Sequence, residues 1–172
     1  NGLNWLWPLQ DASIKHITSV YGPRKVSTGS SNHRGMDITT GVEGAIKGEP
    51  IVAPFDGVVK KAGYESSCGY YICITSKETD PVTDEKIIAI FMHMNSEPLY
   101  TDTKKVEKGK SVLGYVGTTG DSTGYHLHME ANNRNAAVGD TGRSNYTYTI
   151  NPLYFYLNVE PTFSNNASYK KN

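Results

Sequence analysis

The chain has 172 residues, and its 17 basic and 17 acidic residues give a formal net charge of zero. This length fits one domain with its own hydrophobic core. The balanced charge lacks the basic footprint of a nucleic-acid-binding protein, and no apolar run reaches the ~20 residues that span a bilayer. We therefore expect a single domain at residues 1–160 and a flexible tail at 161–172, with no nucleic-acid partner and no membrane segment in this chain.

The composition favours strands over helices, because Tyr and Gly are frequent, at 12 and 17 residues, and helical periodicity is hard to find. Alternating or β-branched segments predict strands, in chain order, at residues 57–62, 70–75, 87–93, 111–117 and 125–131. Turn-forming segments lie at residues 53–57, 76–86 and 117–124. Short strands with Gly- and Pro-rich turns indicate a mainly β fold, an antiparallel sheet with few or no helices.

Three further segments lie outside these strands. Residues 1–10 contain both tryptophans and are predicted to form a packed arm across the domain surface. Residues 132–149 are poor in aliphatic side chains and predict a long loop or ragged hairpin that borders a cleft. Cys68 and Cys73 are five residues apart. We expect two partly buried thiols in preference to a local disulfide, because close-set cysteines often have Cβ vectors that cannot meet.

Four of the five histidines occur in a suggestive arrangement. One motif places His33 four residues before Asp37. A second places His126 two residues before His128, and His93 ends an apolar strand. Side chains at positions i and i+2 of a strand leave the same face, so the second motif predicts two imidazoles that point into the same space.

This combination of side chains indicates a metal site. Imidazole and carboxylate are ordinary zinc ligands, and three protein ligands with an open fourth position mark a catalytic zinc. Such a zinc lowers the pKa of a bound water towards ~7, and nearby histidines titrate close to working pH, so they can serve as base and acid. Two histidines and one carboxylate are also a ligand set for non-haem iron. A single histidine, taken alone, is more often structural.

The residues around the second motif form a longer pattern. Residues 117–130 read Gly-Thr-Thr-Gly-Asp-Ser-Thr-Gly-Tyr-His-Leu-His-Met-Glu, which resembles the signature of lysostaphin-type (LytM-like) zinc metallopeptidases. The His-Arg-Gly-Met-Asp of residues 33–37 resembles the first ligand motif of that family. Further matches follow in the family's order at residues 17–24, 50–59, 92–94, 106–114 and 151–153. The resemblance covers about residues 7–157 and implies a duplicated-hybrid-motif, lysostaphin-type peptidase domain with zinc at the floor of a groove.

The resemblance also implies a role for each residue of the two motifs. His33, Asp37 and His128 would be the ligands of one Zn2+ ion. His93 and His126 would flank the attacking water as the catalytic pair, with the acid and base roles undivided between them.

Two other side chains have weaker assignments. Arg24 is a candidate for stabilising the charge that develops on the reacting oxygen, and a structural salt bridge explains it equally well. Glu130 is expected to be a supporting or structural acid rather than the general base. Both expectations depend on the resemblance and on position in the motif.

The implied function is a zinc metalloendopeptidase that hydrolyses peptide bonds in the cross-links or stem peptides of bacterial peptidoglycan. The alternative is a catalytically inactive cell-wall-binding or regulatory module of the same fold. Glycyl–glycyl bonds and D-amino-acid cross-links both remain open as substrates. The chain begins at Asn1 rather than Met, so we expect a mature or trimmed chain. We also expect it to be monomeric and located outside the cell or in its envelope.

Overall fold

The computed structural model describes residues 4–23, 32–144, 147–156 and 159–164. Within these residues the chain forms thirteen β-strands and two 3₁₀ helices, and no α-helix. The strands are β1 (His16–Ser19), β2 (Gly22–Pro23), β3 (Asn32–His33), β4 (Gly35–Thr39), β5 (Pro50–Val52), β6 (Gly57–Glu65), β7 (Gly69–Asp80), β8 (Glu85–Met94), β9 (Lys105–Val106), β10 (Val112–Tyr115), β11 (Leu127–Asn132), β12 (Thr149–Ile150) and β13 (Thr162–Phe163). The 3₁₀ helices span Thr141–Ser144 and Pro152–Phe155.

One large sheet organises the domain. Its strand order is β13-β1-β4-β11-β8-β7-β6-β9. A ninth strand, β12, also pairs with β11. Every neighbouring pair is antiparallel except β1 with β13. Two short pairs, β5 with β10 and β2 with β3, lie outside the sheet. The predicted mainly β, antiparallel fold is therefore confirmed, and β4, β11 and β8 are its central strands.

The segment predicted as a polar turn, residues 76–86, is mostly the end of a long hairpin. Strand β7 continues to Asp80 and β8 begins at Glu85, and these two residues pair with each other. Residues 77–79 are exposed, so their polarity reflects solvent around the projecting strand rather than a break in the sheet. The prediction of a long turn here was wrong for that reason.

The main hydrophobic core includes the N-terminal segment. Trp5 and Trp7 are only 3% and 4% exposed, and the Trp5 ring stacks on Phe155 with 4.0 Å between ring centroids. The backbone N–H of Trp5 also donates to the Phe155 carbonyl at 3.0 Å. The N-terminal segment was predicted to be an arm across the surface, but it is part of the core. Each of its tryptophans buries its ring against residues that follow β11.

A smaller apolar cluster lies on the other face of the sheet. Neighbouring residues of β8 alternate between the two clusters, as strand geometry requires. Residues 133–144, which we call the covering segment, contribute Ala137 and Val138 to this second cluster. Cys68 and Cys73 are buried in the same cluster and both are free, in agreement with the expectation of two thiols.

The sheet extends past the predicted domain boundary at residue 160. Thr162–Phe163 pair in parallel with β1, and the Ser164 N–H donates to the Ile17 carbonyl at 3.0 Å. The start of the predicted tail therefore belongs to the sheet, and its remainder, residues 165–172, lies outside the described residues. None of the described helices has the length and hydropathy needed to cross a membrane.

Gly35 of β4 pairs with Glu130 of β11. A Cβ atom at Gly35 would lie 2.1 Å from the Met129 carbonyl oxygen, a backbone atom that cannot move without shifting β11. We expect Gly35→Ala to lower the free energy of unfolding by about 1–3 kcal/mol, as overpacking does, in urea denaturation. The matched control is Gly41→Ala, since a Cβ at Gly41 meets nothing within 4 Å. Equal stability of the two variants would contradict the close-packing argument.

Candidate active site

The three predicted metal ligands meet in one cluster. His33, Asp37 and His128 each offer one donor atom, and these atoms all lie within 4.8 Å of one another. Strand pairing produces the cluster, because β11 runs antiparallel to β4 with His128 directly opposite Asp37. His33 reaches the same place from the end of β3.

The spacing of the donor atoms fits a small divalent metal ion. His33 Nε2 lies 3.3 Å from His128 Nδ1 and 3.5 Å from Asp37 Oδ1, and His128 Nδ1 lies 2.8 Å from the same oxygen. Zinc bonds of about 2.0–2.2 Å in tetrahedral geometry place ligand atoms about 3.3 Å apart. Two edges of the triangle match this spacing and the third is shorter. The donors are thus right in type for a three-ligand metal site, and two of their three separations match zinc geometry.

His33 and His128 are each anchored through the ring nitrogen that faces away from the cluster. His33 Nδ1 lies 3.0 Å from the Val20 carbonyl oxygen and 3.2 Å from Ser19 Oγ. His128 Nε2 lies 2.8 Å from Glu130 Oε2. A ring N–H donated to these acceptors leaves the opposite nitrogen with a lone pair aimed into the cluster. This is the arrangement by which metal-ligating histidines are oriented.

The cluster favours positive charge. Burial alone would raise the pKa of Asp37, but its hydrogen bonds with His128 and His33 hold that pKa well below its ordinary value. Burial alone would lower the pKa of His128, but its hydrogen bonds with Asp37 and Glu130 raise it to about 9. Between its two carboxylates, this site stabilises a cation, whether a proton or a metal ion.

His93 and His126 lie beside the three-residue cluster. Their ring centroids are 5.3 Å apart, and the His93 ring is 6.0 Å from that of His128. His126 Nε2 lies 3.6 Å from Asp37 Oδ1. The structure thus brings together all five of the histidine and aspartate side chains that the sequence singled out. Arg24, the remaining candidate, lies outside the described residues.

Backbone carbonyl oxygens hold the second pair of histidines. His93 Nδ1 lies 2.7 Å from the Thr119 carbonyl oxygen, and His126 Nδ1 lies 2.7 Å from that of Gly124. Because a carbonyl oxygen only accepts, each Nδ1 carries the hydrogen and each Nε2 is left to exchange a proton with another molecule. Both acceptors belong to the Gly-rich turn between β10 and β11, so this turn positions the pair.

His93 has an unusual backbone conformation and environment. Its φ of 58° lies in the left-handed region, which non-glycine residues adopt rarely and which recurs at functional sites. His93 is buried, with 8% of the residue exposed. This burial lowers the pKa of His93 to about 4. The imidazole is therefore neutral near pH 7, the protonation state of a base.

Sequence reasoning missed one participant, Arg143. Its Nε and Nη2 donate to Glu130 Oε1 and Oε2, each at 3.1 Å. A usable signal was present in the sequence, since a glutamate in the middle of a buried strand requires a cationic partner. The sequence does not indicate which arginine provides it, because Arg143 lies in a segment without strand or helix periodicity.

An antiparallel sheet with a His–Asp–His cluster and two further histidines beside it is the arrangement expected of a metallopeptidase domain. Residues 31–152, well over half of the chain, match Peptidase family M23. The chain belongs to this family, and the resemblance inferred from its motifs is confirmed.

Several proteins are similar to this chain in sequence or in fold. Peptidoglycan DD-endopeptidase ShyC from Vibrio cholerae is 33% identical over 120 residues, 68% of this chain and 24% of ShyC. The catalytic domain of the antimicrobial peptidase lysostaphin from Staphylococcus simulans has a TM-score of 0.65 at 22% identity, covering 86% of this chain and 96% of that domain. The catalytic domain of the prophage-encoded M23 protein EnpA from Enterococcus faecalis has a TM-score of 0.57 at 28% identity, covering 81% and 90%. The chain therefore spans nearly all of both catalytic domains, but only about a quarter of ShyC.

Proposed function

We propose that this chain is a zinc metalloendopeptidase that hydrolyses peptide bonds in the cross-links or stem peptides of bacterial peptidoglycan. The observation that carries the proposal is the cluster of three donor atoms within 4.8 Å, with two further histidines beside it. Membership of the M23 peptidases supports the reaction class. The relative ShyC, which is named as a peptidoglycan endopeptidase, supports the substrate class.

His33, Asp37 and His128 would hold one Zn2+ ion and leave a position open towards His93 and His126. Zinc bound there would polarise the scissile carbonyl group and lower the pKa of a water molecule. One catalytic histidine would accept a proton from the attacking water at its free Nε2 and deliver that proton to the departing amine. The other would contact the reacting groups and steady them. Elemental analysis of the purified protein distinguishes zinc from the iron that the same ligand types could hold.

The proposed substrate sets the location. Peptidoglycan lies outside the cytoplasmic membrane, so we propose that the domain acts in the cell envelope or the extracellular space. We also propose that it acts as a monomer, because all five histidine and aspartate side chains of the site come from one chain.

The direct test is hydrolysis of purified peptidoglycan with several cross-link types by the zinc-loaded protein. Mass spectrometry of the released fragments should show new peptide termini, which identify the bond as glycyl–glycyl or as a D-amino-acid cross-link. Chelation should stop the release, and added zinc should restore it. No cleavage of any sacculus by protein with stoichiometric zinc would instead favour the inactive cell-wall-binding module.

A further inference from the structure

We infer that Arg143 is a positioning residue for the metal ligand His128 and that it acts through Glu130. The inference rests on the metal site of the proposed function and adds to it a residue from the covering segment. Arg143 contacts neither the donor atoms nor the catalytic pair in any described hydrogen bond or ion pair, so its effect passes through Glu130.

A continuous chain of hydrogen bonds joins Arg143 to the cluster. The guanidinium group meets the Glu130 carboxylate side-on, with Nε on Oε1 and Nη2 on Oε2, both at 3.1 Å. Glu130 Oε2 then lies 2.8 Å from His128 Nε2, and His128 Nδ1 is the donor atom of the cluster. Two parallel bonds fix the plane of a carboxylate in a way that one bond cannot. Arg143 therefore sets the direction in which Glu130 holds the imidazole.

Burial makes the guanidinium necessary. The side chain of Glu130 is 3% exposed and that of Arg143 is 13% exposed, so water cannot replace either partner of this pair. Among the ion pairs of the described residues, Glu130 has only two partners, His128 and Arg143. Since a buried charge that has lost its partner is strongly unfavourable, a carboxylate without Arg143 would turn away from His128. That movement loosens the support of the ligand.

Hydrogen bonds hold the part of the covering segment that precedes Arg143, which lowers the entropy cost of placing the Arg143 side chain. The Asn132 side chain donates to the Ala136 carbonyl at 2.9 Å and accepts from the Ala136 N–H at 3.1 Å. Asp140 accepts from the Ala137 N–H at 2.9 Å, and its carbonyl accepts from the Arg143 N–H at 3.2 Å. The segment thus works as a fixed support for one guanidinium group.

The test is zinc affinity, measured by competition with a chromophoric chelator for the whole chain and its variants. Arg143→Ala should weaken zinc binding about 10- to 100-fold, as loss of a group that orients a ligand does. Arg143→Lys should recover part of this loss, because lysine keeps the charge but lacks the two-point fork. The matched control is Arg134→Ala. Arg134 lies in the same segment with its guanidinium 4.2 Å from the Tyr148 ring, so this variant should bind zinc as the wild type does.

A double-mutant cycle tests the route through Glu130. Combining Arg143→Ala with Glu130→Gln should weaken zinc binding no more than Glu130→Gln alone, because residues acting through one another are not additive. Additive losses would overturn the inference, as would wild-type zinc affinity in both Arg143 variants. Should Arg143→Ala fail to fold, Arg143→Lys decides, since it leaves Glu130 paired with a cation. Wild-type protein that binds no zinc would overturn the metal site as well, whereas zinc binding that is insensitive to Arg143 overturns only this inference.

Discussion

Asp37→Ala is expected to lose both the bound zinc and the peptidase activity. Asp37 Oδ1 is the centre of the site, at 2.8 Å from His128 Nδ1, 3.5 Å from His33 Nε2 and 3.6 Å from His126 Nε2. Groups that only orient a ligand already change metal affinity 10- to 100-fold, so removal of a ligand itself should weaken zinc binding by more than about 100-fold. Elemental analysis after dialysis and the release of peptidoglycan fragments measure the two effects, and His33→Ala should behave in the same way.

A matched carboxylate separates this effect from a general loss of negative charge. Asp121 is exposed in the turn before β11, so Asp121→Ala removes an acidic side chain near the site without touching the cluster. This control should keep stoichiometric zinc and wild-type hydrolysis. Stoichiometric zinc in either Asp37→Ala or His33→Ala would count against the ligand set itself.

The sequence predicted the cluster because its residues lie in strands. The two-residue spacing of His126 and His128 placed both rings on one side of the chain. Their approach to Asp37 then required only that β11 and β4 pair, which they do with His128 opposite Asp37. Which strands pair was not readable from periodicity alone. The grouping of His33 and Asp37 with His128 came instead from the resemblance to a family whose motif order the chain shares.

The anchors of the histidines could not be predicted in the same way. His33, His93 and His126 are each held by a backbone carbonyl oxygen, and every residue has one, so the side-chain sequence gives no signal. Arg143 is a different case, because its side chain is distinctive but its segment has no periodicity. Its position depends on tertiary packing of Ala137 and Val138 against β7 and β8. Local propensity does not encode such contacts.

His128 and His93 differ in the charge of the group that holds each ring. A carboxylate lies behind His128, and with Asp37 it raises the pKa of that ring to about 9, which favours a bound cation. A neutral carbonyl lies behind His93, and burial lowers the pKa of that ring to about 4, which leaves it neutral and able to accept a proton. Both side chains are imidazoles, so the difference lies in their surroundings. It supports the proposed division between a ligand, His128, and a catalytic residue, His93.

We also predict that His93→Ala and His126→Ala keep zinc but lose hydrolysis. Neither ring provides a donor atom of the three-residue cluster, so elemental analysis should find stoichiometric zinc in both variants. Activity should fall about 10²- to 10⁴-fold in each, the usual contribution of a positioned acid or base. Fragment release from peptidoglycan, followed by mass spectrometry at equal zinc content, measures that loss.

His16 provides the control for these two variants because it is the one histidine outside the site. Its Nδ1 lies 2.8 Å from Thr162 Oγ1, where β1 pairs with β13, so His16→Ala should keep both zinc and hydrolysis. Loss of zinc from His93→Ala or His126→Ala would show that the mutated ring is a ligand and would overturn the division of roles. Full hydrolysis by either variant would show that proton transfer does not need that ring. Stoichiometric zinc with lost activity, set against an unchanged His16→Ala, is the one result that assigns the pair to catalysis rather than to metal binding.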